Sequence, residues 1–430
     1  MMLRKILSLC TVAWCLTVGA ANSASAEPRL WPLWEDFKSL HLGPEARVVD
    51  TGDSRRITTS EGQSYALFFA LVAGDEALFE RLLTWTENNL ASGDMTRRLP
   101  SWLWGRTSGR WQTIDANNAT DSDMWIAYTL LEAGRLFNRP DYTQKARAMM
   151  ALLKRDIRDI ARLGPVVLPA EKGFDKPSGI TVNPSYWPVF ILRRFALEDP
   201  EWAQVAAASR RAIVRTSPKG LAPDWAQIDR EGRLVAPRSK DERTGSYNAV
   251  RVYLWAGMMS DADPAKKELV SHFSPMRALT RARAVVPERV DVADGSSEGE
   301  GSAGFGACLI PMLRGTKEAE LLRARIDREG IKPESYYRNT LVLFGDGFDK
   351  GLWRFDRHGR LEVRDRAFSR LTPRPSLKNV SNEVPDKQAL PAPQVPAAPE
   401  KVPETFDIPN PTPAVEPADT PAATPSKEAP

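Results

Sequence analysis

Cysteine and histidine are scarce in this 430-residue chain, at three each. Cys10 and Cys15 lie within the first 26 residues. Without that segment Cys308 is the only thiol, so neither an intramolecular disulfide nor a thiol-ligated zinc site can form. Cys308 falls in the apolar run Phe305 to Leu313 and reads as a packed core residue. His41, His272 and His358 are far apart and lack the spacing of a metal-binding pair. The sequence gives no support for a Ser-His-Asp arrangement, and neither a metal nor a cofactor is expected.

Long apolar runs are also missing. Ile6 to Gly19 is too short and wrongly flanked to span a bilayer, and no later segment reaches spanning length. With Arg4 and Lys5 before it and Ala24-Ser25-Ala26 after it, this run reads as a signal peptide over residues 1–26. The mature protein is expected in the periplasm or the medium. Basic blocks are absent as well, although the formal charge is +4. The leader contributes +2 and the segment from Ser376 onward −4, so the body between them carries +6, spread over a large surface. That pattern does not suit nucleic acid or a membrane surface. Gly299 to Gly304 does not follow a strand as a phosphate loop would. Asp291-Val292-Ala293-Asp294-Gly295 lacks the glutamate of a calcium loop. No repeat period marks a solenoid.

What the chain has is helical pattern, and at 42% hydrophobic it has enough apolar residues for a large core. Trp31 to Leu42 reads as a first amphipathic helix. Pairs follow at Gly62–Ala73 with Glu76–Leu90, Ala119–Phe137 with Asp141–Ile160, and Pro184–Leu197 with Pro200–Thr216. Two more come at Tyr247–Met259 with Pro264–Ala282, and Ser302–Arg314 with Lys317–Arg328, before a last helix at Ser335–Phe344. Val166 to Pro169 suggests a short strand, Asp229 to Pro237 a small excursion, and Trp353 to Val363 a hairpin turning at His358-Gly359. About twelve helices in sequential pairs predict an all-α toroid, an (α/α)6 barrel, over residues 27–372. From Pro373 to Pro430 proline and alanine dominate, and a disordered tail is expected.

Two of these helices open on carboxylates. Ser60 is a candidate N-cap with Glu61 in the first turn, and Asp121 and Asp123 open the helix near Ala119. Two acidic helix mouths in a tryptophan-rich helical chain suggest a carboxylate pair acting on sugar. Cleaving a glycosidic bond with inversion takes a carboxylic acid and a carboxylate ~6.5–9.5 Å apart, with room for water between them. Aromatic faces suit pyranose rings. Trp125, Trp187, Trp225 and Trp255 read as core, whereas Trp102 and Trp104, in a loop between helices, are the better platform candidates.

Ile57-Thr58-Thr59-Ser60-Glu61-Gly62-Gln63-Ser64-Tyr65 resembles the segment around the general acid of glycoside hydrolase family 8. Asn118-Ala119-Thr120-Asp121-Ser122-Asp123-Met124-Trp125 is similar to that family's signature. Asn183 to Tyr186, Pro223-Asp224-Trp225 and Ser246 to Tyr253 are similar to further family segments. The resemblance runs from about Trp31 to Asp365 and is nearest the branch that accompanies bacterial cellulose synthase. It implies an (α/α)6 barrel, metal-free inverting hydrolysis of β-1,4-glucan, and partnership with cellulose chains and the cellulose synthase complex. It also implies Glu61 as proton donor and Asp121 as the second carboxylate, holding the sugar at the bond to be cut. Trp102, Trp104, Tyr186, Tyr247, Asn248 and Arg251 are the implied substrate contacts.

Two residues depart from the family pattern. Ser122 stands where Gly or Ala is usual, and Asn248 where the inferred base is Asp. A neutral amide cannot take a proton, and losing a general base lowers rates ~10²–10⁴-fold. This leaves open a base relocated to Asp241 or Glu242, or a glucan-binding accessory protein that no longer cuts. Chitosan and xylan remain alternative substrates within the enzyme reading.

Overall fold

Apolar patterning sorts the helices into two layers. The computed structural model describes residues 27–371 except Ala284 and Glu334. The expected leader and the tail from 373 lie outside the described residues. In chain order the helices are α1 (Pro32–His41), α2 (Ser60–Ala73), α3 (Glu76–Leu90), α4 (Thr120–Leu136) and α5 (Pro140–Leu153). Next come α6 (Val189–Phe195), α7 (Trp202–Thr216), α8 (Ala249–Met258), α9 (Pro264–His272) and α10 (Ser274–Arg283). The last are α11 (Ala303–Leu309), α12 (Lys317–Glu329), α13 (Tyr336–Asp349) and the short α14 (Asp365–Phe368).

Every residue of α8 and α11 is buried, and so is every residue of α2 except Glu61. α4, α6 and α13 are buried nearly throughout. A helix apolar on all sides belongs inside. These six form the inner ring: α2 packs on α4, α4 on α6, α8 on α11, α11 on α13, and α13 closes back onto α2. The 3-10 turn Pro184–Tyr186, which leads into α6, packs on α8. The outer helices bury only one face, as with Ala319, Leu322 and Ile326 of α12. α3, α5, α7, α9 and α12 each pack on the inner helix that precedes them, and α1 packs on α13. The result is the expected (α/α)6 barrel, with α10 and α14 outside its twelve. Gly345 permits the closest approach in the ring, since a Cβ there would collide with the carbonyl oxygen of Ala307 on α11.

Small antiparallel sheets lie between the helices. β1 (Thr58–Thr59), β2 (Leu103–Thr107) and β3 (Arg110–Asp115) form one, and β4 (Ile157–Ile160) pairs with β5 (Gly164–Val167). β6 (Asp175–Lys176), β7 (Gly179–Val182) and β8 (Ala226–Asp229) form another. β9 (Thr244–Gly245), β10 (Arg289–Asp291) and β11 (Ser297–Glu298) form a third three-stranded sheet. β12 (Trp353–Phe355) and β13 (Leu361–Val363) make the expected hairpin.

Several expected boundaries move. Thr59, not Ser60, caps α2, its Oγ1 accepting from the Gly62 N–H at 3.0 Å. The helix expected over Asp141–Ile160 stops at Leu153, because Ile157 to Ile160 extends to pair with β5. Pro188 splits Pro184–Leu197 into a 3-10 turn and α6, since it lacks an N–H to donate. Pro264–Ala282 breaks at Phe273, and Ser302–Arg314 ends as helix at Leu309, two residues before Pro311. The stretch holding Trp104 is a strand of a hairpin rather than a loop. Its turn, Ser108-Gly109, has positive φ at both residues, as a two-residue hairpin connection requires.

Candidate active site

Because successive pairs run antiparallel, the inner helices α2, α4, α8 and α13 all begin at the same end of the ring. Glu61 projects from the first turn of α2 and Asp121 from the first turn of α4. Thr120 anchors the start of α4, its N–H donating to Pro169 O at 2.9 Å and its hydroxyl to Leu168 O at 2.6 Å. The N-terminus of α8 is held by Asp224, whose Oδ1 accepts the N–H groups of Ser246, Asn248 and Ala249 at 2.9, 3.0 and 2.7 Å.

Arg251, on α8, draws these helix mouths together. Its Nη1 donates to Glu61 Oε2 at 2.5 Å, Tyr65 OH at 2.9 Å and Asp121 Oδ2 at 3.0 Å, and Nη2 donates to Asn248 Oδ1 at 2.8 Å. The Tyr186 and Tyr337 rings lie 5.6 and 5.7 Å from the guanidinium carbon. Tyr336 OH donates to Glu61 Oε1 at 3.3 Å and shares a 2.8 Å bond with the capping hydroxyl of Thr59.

The side chains of Arg251 and Asp121 are 2% and 4% exposed, whereas that of Glu61 keeps 19%. Burying charge is unfavourable unless it is matched. One guanidinium cannot neutralise two carboxylates, so the site favours an extra proton. Burial raises Glu61, Arg251 pulls it down and Asp121 pushes it up again, leaving it at about 7. Asp121 is also raised by burial, against the pull of Arg251 and the Ser122 N–H. A carboxylic acid that keeps its proton near neutrality and still reaches solvent can protonate a leaving oxygen. Both carboxylates bond the same Nη1, so Glu61 Oε2 and Asp121 Oδ2 can be no further apart than the sum of the two bonds, 5.5 Å. That is closer than the spacing that admits an attacking water.

The structure therefore brings together Glu61, Asp121, Tyr186, Asn248 and Arg251. Tyr247 stands one shell out: its hydroxyl donates to Glu288 Oε1 at 2.9 Å, and its carbonyl accepts from Tyr337 OH at 2.5 Å. Trp102 is half-buried, its carbonyl accepting from the Ser60 N–H at 3.0 Å. Trp104 is not in the cluster, because its ring is stacked on Trp111. Trp125, Trp187 and Trp255 are core, as expected. Trp225 is half-buried, stacked on Phe174 at 5.6 Å and tilted against Tyr186 at 6.1 Å, which makes an aromatic wall leading to Arg251. Tyr65, Tyr336, Tyr337 and the capping role of Asp224 were not singled out from sequence. Tyr65 was the findable one, lying one helical turn after Glu61.

The profile of Glycosyl hydrolases family 8 matches residues 6–351. The chain belongs to this family. A family 8 assignment agrees with its relatives: it is 41% identical over 336 residues to an endoglucanase of Salmonella typhi, covering 77% of this chain and 90% of that one. It is 40% identical over 370 residues to an endoglucanase of Xanthomonas axonopodis pv. citri, covering 83% and 96%. The crystal structure of endo-1,4-D-glucanase from Vibrio fischeri ES114 superposes with a TM-score of 0.74 at 39% identity, over 78% of this chain and 99% of that one. As a family 8 member the chain is a glycoside hydrolase.

Proposed function

We propose that this glycoside hydrolase is an endo-β-1,4-glucanase that cuts cellulose-type chains with inversion. The observation that carries the reading is Glu61, held near pKa 7 and joined to Asp121 through one guanidinium nitrogen. Glu61 delivers its proton to the bridging oxygen as that bond breaks. Asp121 holds the sugar at the cleavage point and stabilises the positive charge that develops there. It stands too close to Glu61 to serve as the water-activating base.

The base is then a further carboxylate. Asn248 is neutral, and its oxygen is committed to Arg251. Asp241 and Glu242 are exposed on a 3-10 turn, where Glu242 accepts the Arg238 N–H, and no described bond joins either to the cluster. Asp224 accepts the Asn248 N–H through Oδ1, while its Oδ2 takes part in no described hydrogen bond. We assign the proton-accepting part to Asp224, which keeps the scheme balanced: water gives its proton to Asp224 and its oxygen to the anomeric carbon.

The committed amide of Asn248 also favours a second reading, a glucan-binding accessory protein that does not cut. Purified protein should lower carboxymethylcellulose viscosity, and Glu61→Gln should abolish the fall. Binding of cello-oligosaccharide with viscosity unchanged in both proteins would establish the second reading instead. Asn248→Asp separates the bases: a gain of ~10²-fold or more means that the site lacks one. Chitosan and xylan assays in parallel test the polymer. An export leader at 1–26, a tail spacer from 373 and service beside a cellulose synthase complex in the periplasm complete the proposal. Its support is the leader's residue pattern and the kinship with bacterial endoglucanases. Among the described residues no helix is long and apolar enough to cross a membrane.

A further inference from the structure

Trp111 is 48% exposed, on a strand whose first four residues are all exposed. Its ring is not loose. It stacks on Trp104 at 5.1 Å with an interplanar angle of 11°, and Trp85 meets the Trp104 ring edge-on at 5.2 Å. The buried Arg47 guanidinium lies 4.8 Å from the Trp111 ring and 5.1 Å from that of Trp104. Arg47 is itself fixed by Glu45 at 2.6 Å, Arg56 O at 3.0 Å and Thr58 Oγ1 at 2.9 Å. A preset indole with one open face binds with little further loss of side-chain freedom.

The register shows which way this face looks. Thr58 pairs with Trp104, and Arg106 with Trp111, so these four share one face of the sheet. Thr59 points to the other face, where its hydroxyl meets Tyr336 beside Glu61. The Trp111 platform therefore lies outside the cleft, on a sheet continuous with the catalytic helix α2. Its neighbours on that face are polar: Arg106 makes no described ion pair, and Arg106 and Thr113 are both exposed. One indole face flanked by a guanidinium and a hydroxyl suits a neutral pyranose, with its apolar C–H face and rim of hydroxyls, better than an apolar protein partner, which needs a contiguous patch.

We propose that Trp111 is a second glucan-holding platform, which grips one stretch of a polymer while another occupies the cleft. This rests on the β-glucan reading of the cleft. The test compares full-length wild type with Trp111→Ala and Trp111→Tyr, using carboxymethylcellulose and cellopentaose. Expected for Trp111→Ala is a KM on the polymer raised about 3- to 10-fold, the scale of one lost aromatic contact, with kcat/KM on cellopentaose unchanged. Trp111→Tyr should restore most of the polymer affinity. In affinity gels Glu61→Gln/Trp111→Ala should migrate faster through carboxymethylcellulose than Glu61→Gln alone. No change on polymer overturns the platform while leaving the cleft reading intact. An equal loss on both substrates overturns it too, because it would place Trp111 in the cleft. Wild type that neither binds nor cuts either glucan overturns the cleft reading, and the platform with it.

Discussion

In the proposed mechanism Glu61 joins activity and stability in one side chain. Its carboxyl is pushed from 4.5 to about 7, chiefly by burial. For an acid, a raised value means that the folded state holds the proton more tightly than the unfolded chain. Folding is therefore penalised as pH climbs from 4.5 through about 7, by roughly 3 kcal/mol once past it. Glu61→Gln removes that penalty along with the proposed proton donor. The variant should lose ~10²–10⁴-fold in kcat yet melt higher than wild type at pH 8, with the gap closing at pH 4.5, as read by calorimetry. In wild type, kcat/KM should fall as pH rises through about 7, measured on cellopentaose. Glu61 and Asp121 were legible in the sequence because each opens an apolar helix. Tyr336 was not, since 275 positions separate it from Glu61 and only closure of the ring brings them together.

Among the elements, the inner helices are tied by buried polar groups as well as by apolar packing. Glu132 of α4 is fully enclosed, accepting from Arg194 of α6 at 2.5 Å, Arg135 at 2.6 Å and the Leu361 N–H of β13 at 2.9 Å. Glu132→Ala leaves the buried Arg194 with Glu198 alone, and should destabilise the protein by about 3 kcal/mol in urea titration with the m-value retained. Helix existence was readable from period and caps. The limits were less so, because Pro188 and the pairing of Ile157–Ile160 with β5 override local helical pattern. The β2–β3 hairpin was missed although Ser108-Gly109 marked its turn: the two apolar residues of β3, Trp111 and Ile114, fall on opposite faces and give no alternation to read.

Across the whole molecule, the buried carboxylates and the surface carboxylates pull stability in opposite directions with pH. Asp121, Asp123 and Asp224 are all raised by burial, as Glu61 is, so each favours folding at lower pH and opposes it above its ordinary value. Surface acids such as Asp53 and Asp175, lowered by their arginine partners, contribute stability that is lost as pH falls below 3.8. Maximum thermal stability should therefore fall between about pH 4 and 6, and Asp123→Asn should shrink the decline toward pH 8. Ring closure also brings distant chain segments together: Trp31, ahead of α1, lies 5.8 Å from Trp353 of β12, with Phe69 and Phe368 against its edges. Trp353→Ala should remove about 3–5 kcal/mol from the cooperative transition.

Cys308 sits fully enclosed in α11, and burial pushes its thiol up, so little thiolate forms. In protein lacking residues 1–26, a sulfhydryl dye therefore finds no target until the inner wall parts. The labelling rate in dilute denaturant would then time how often the toroid opens, without any engineered reporter.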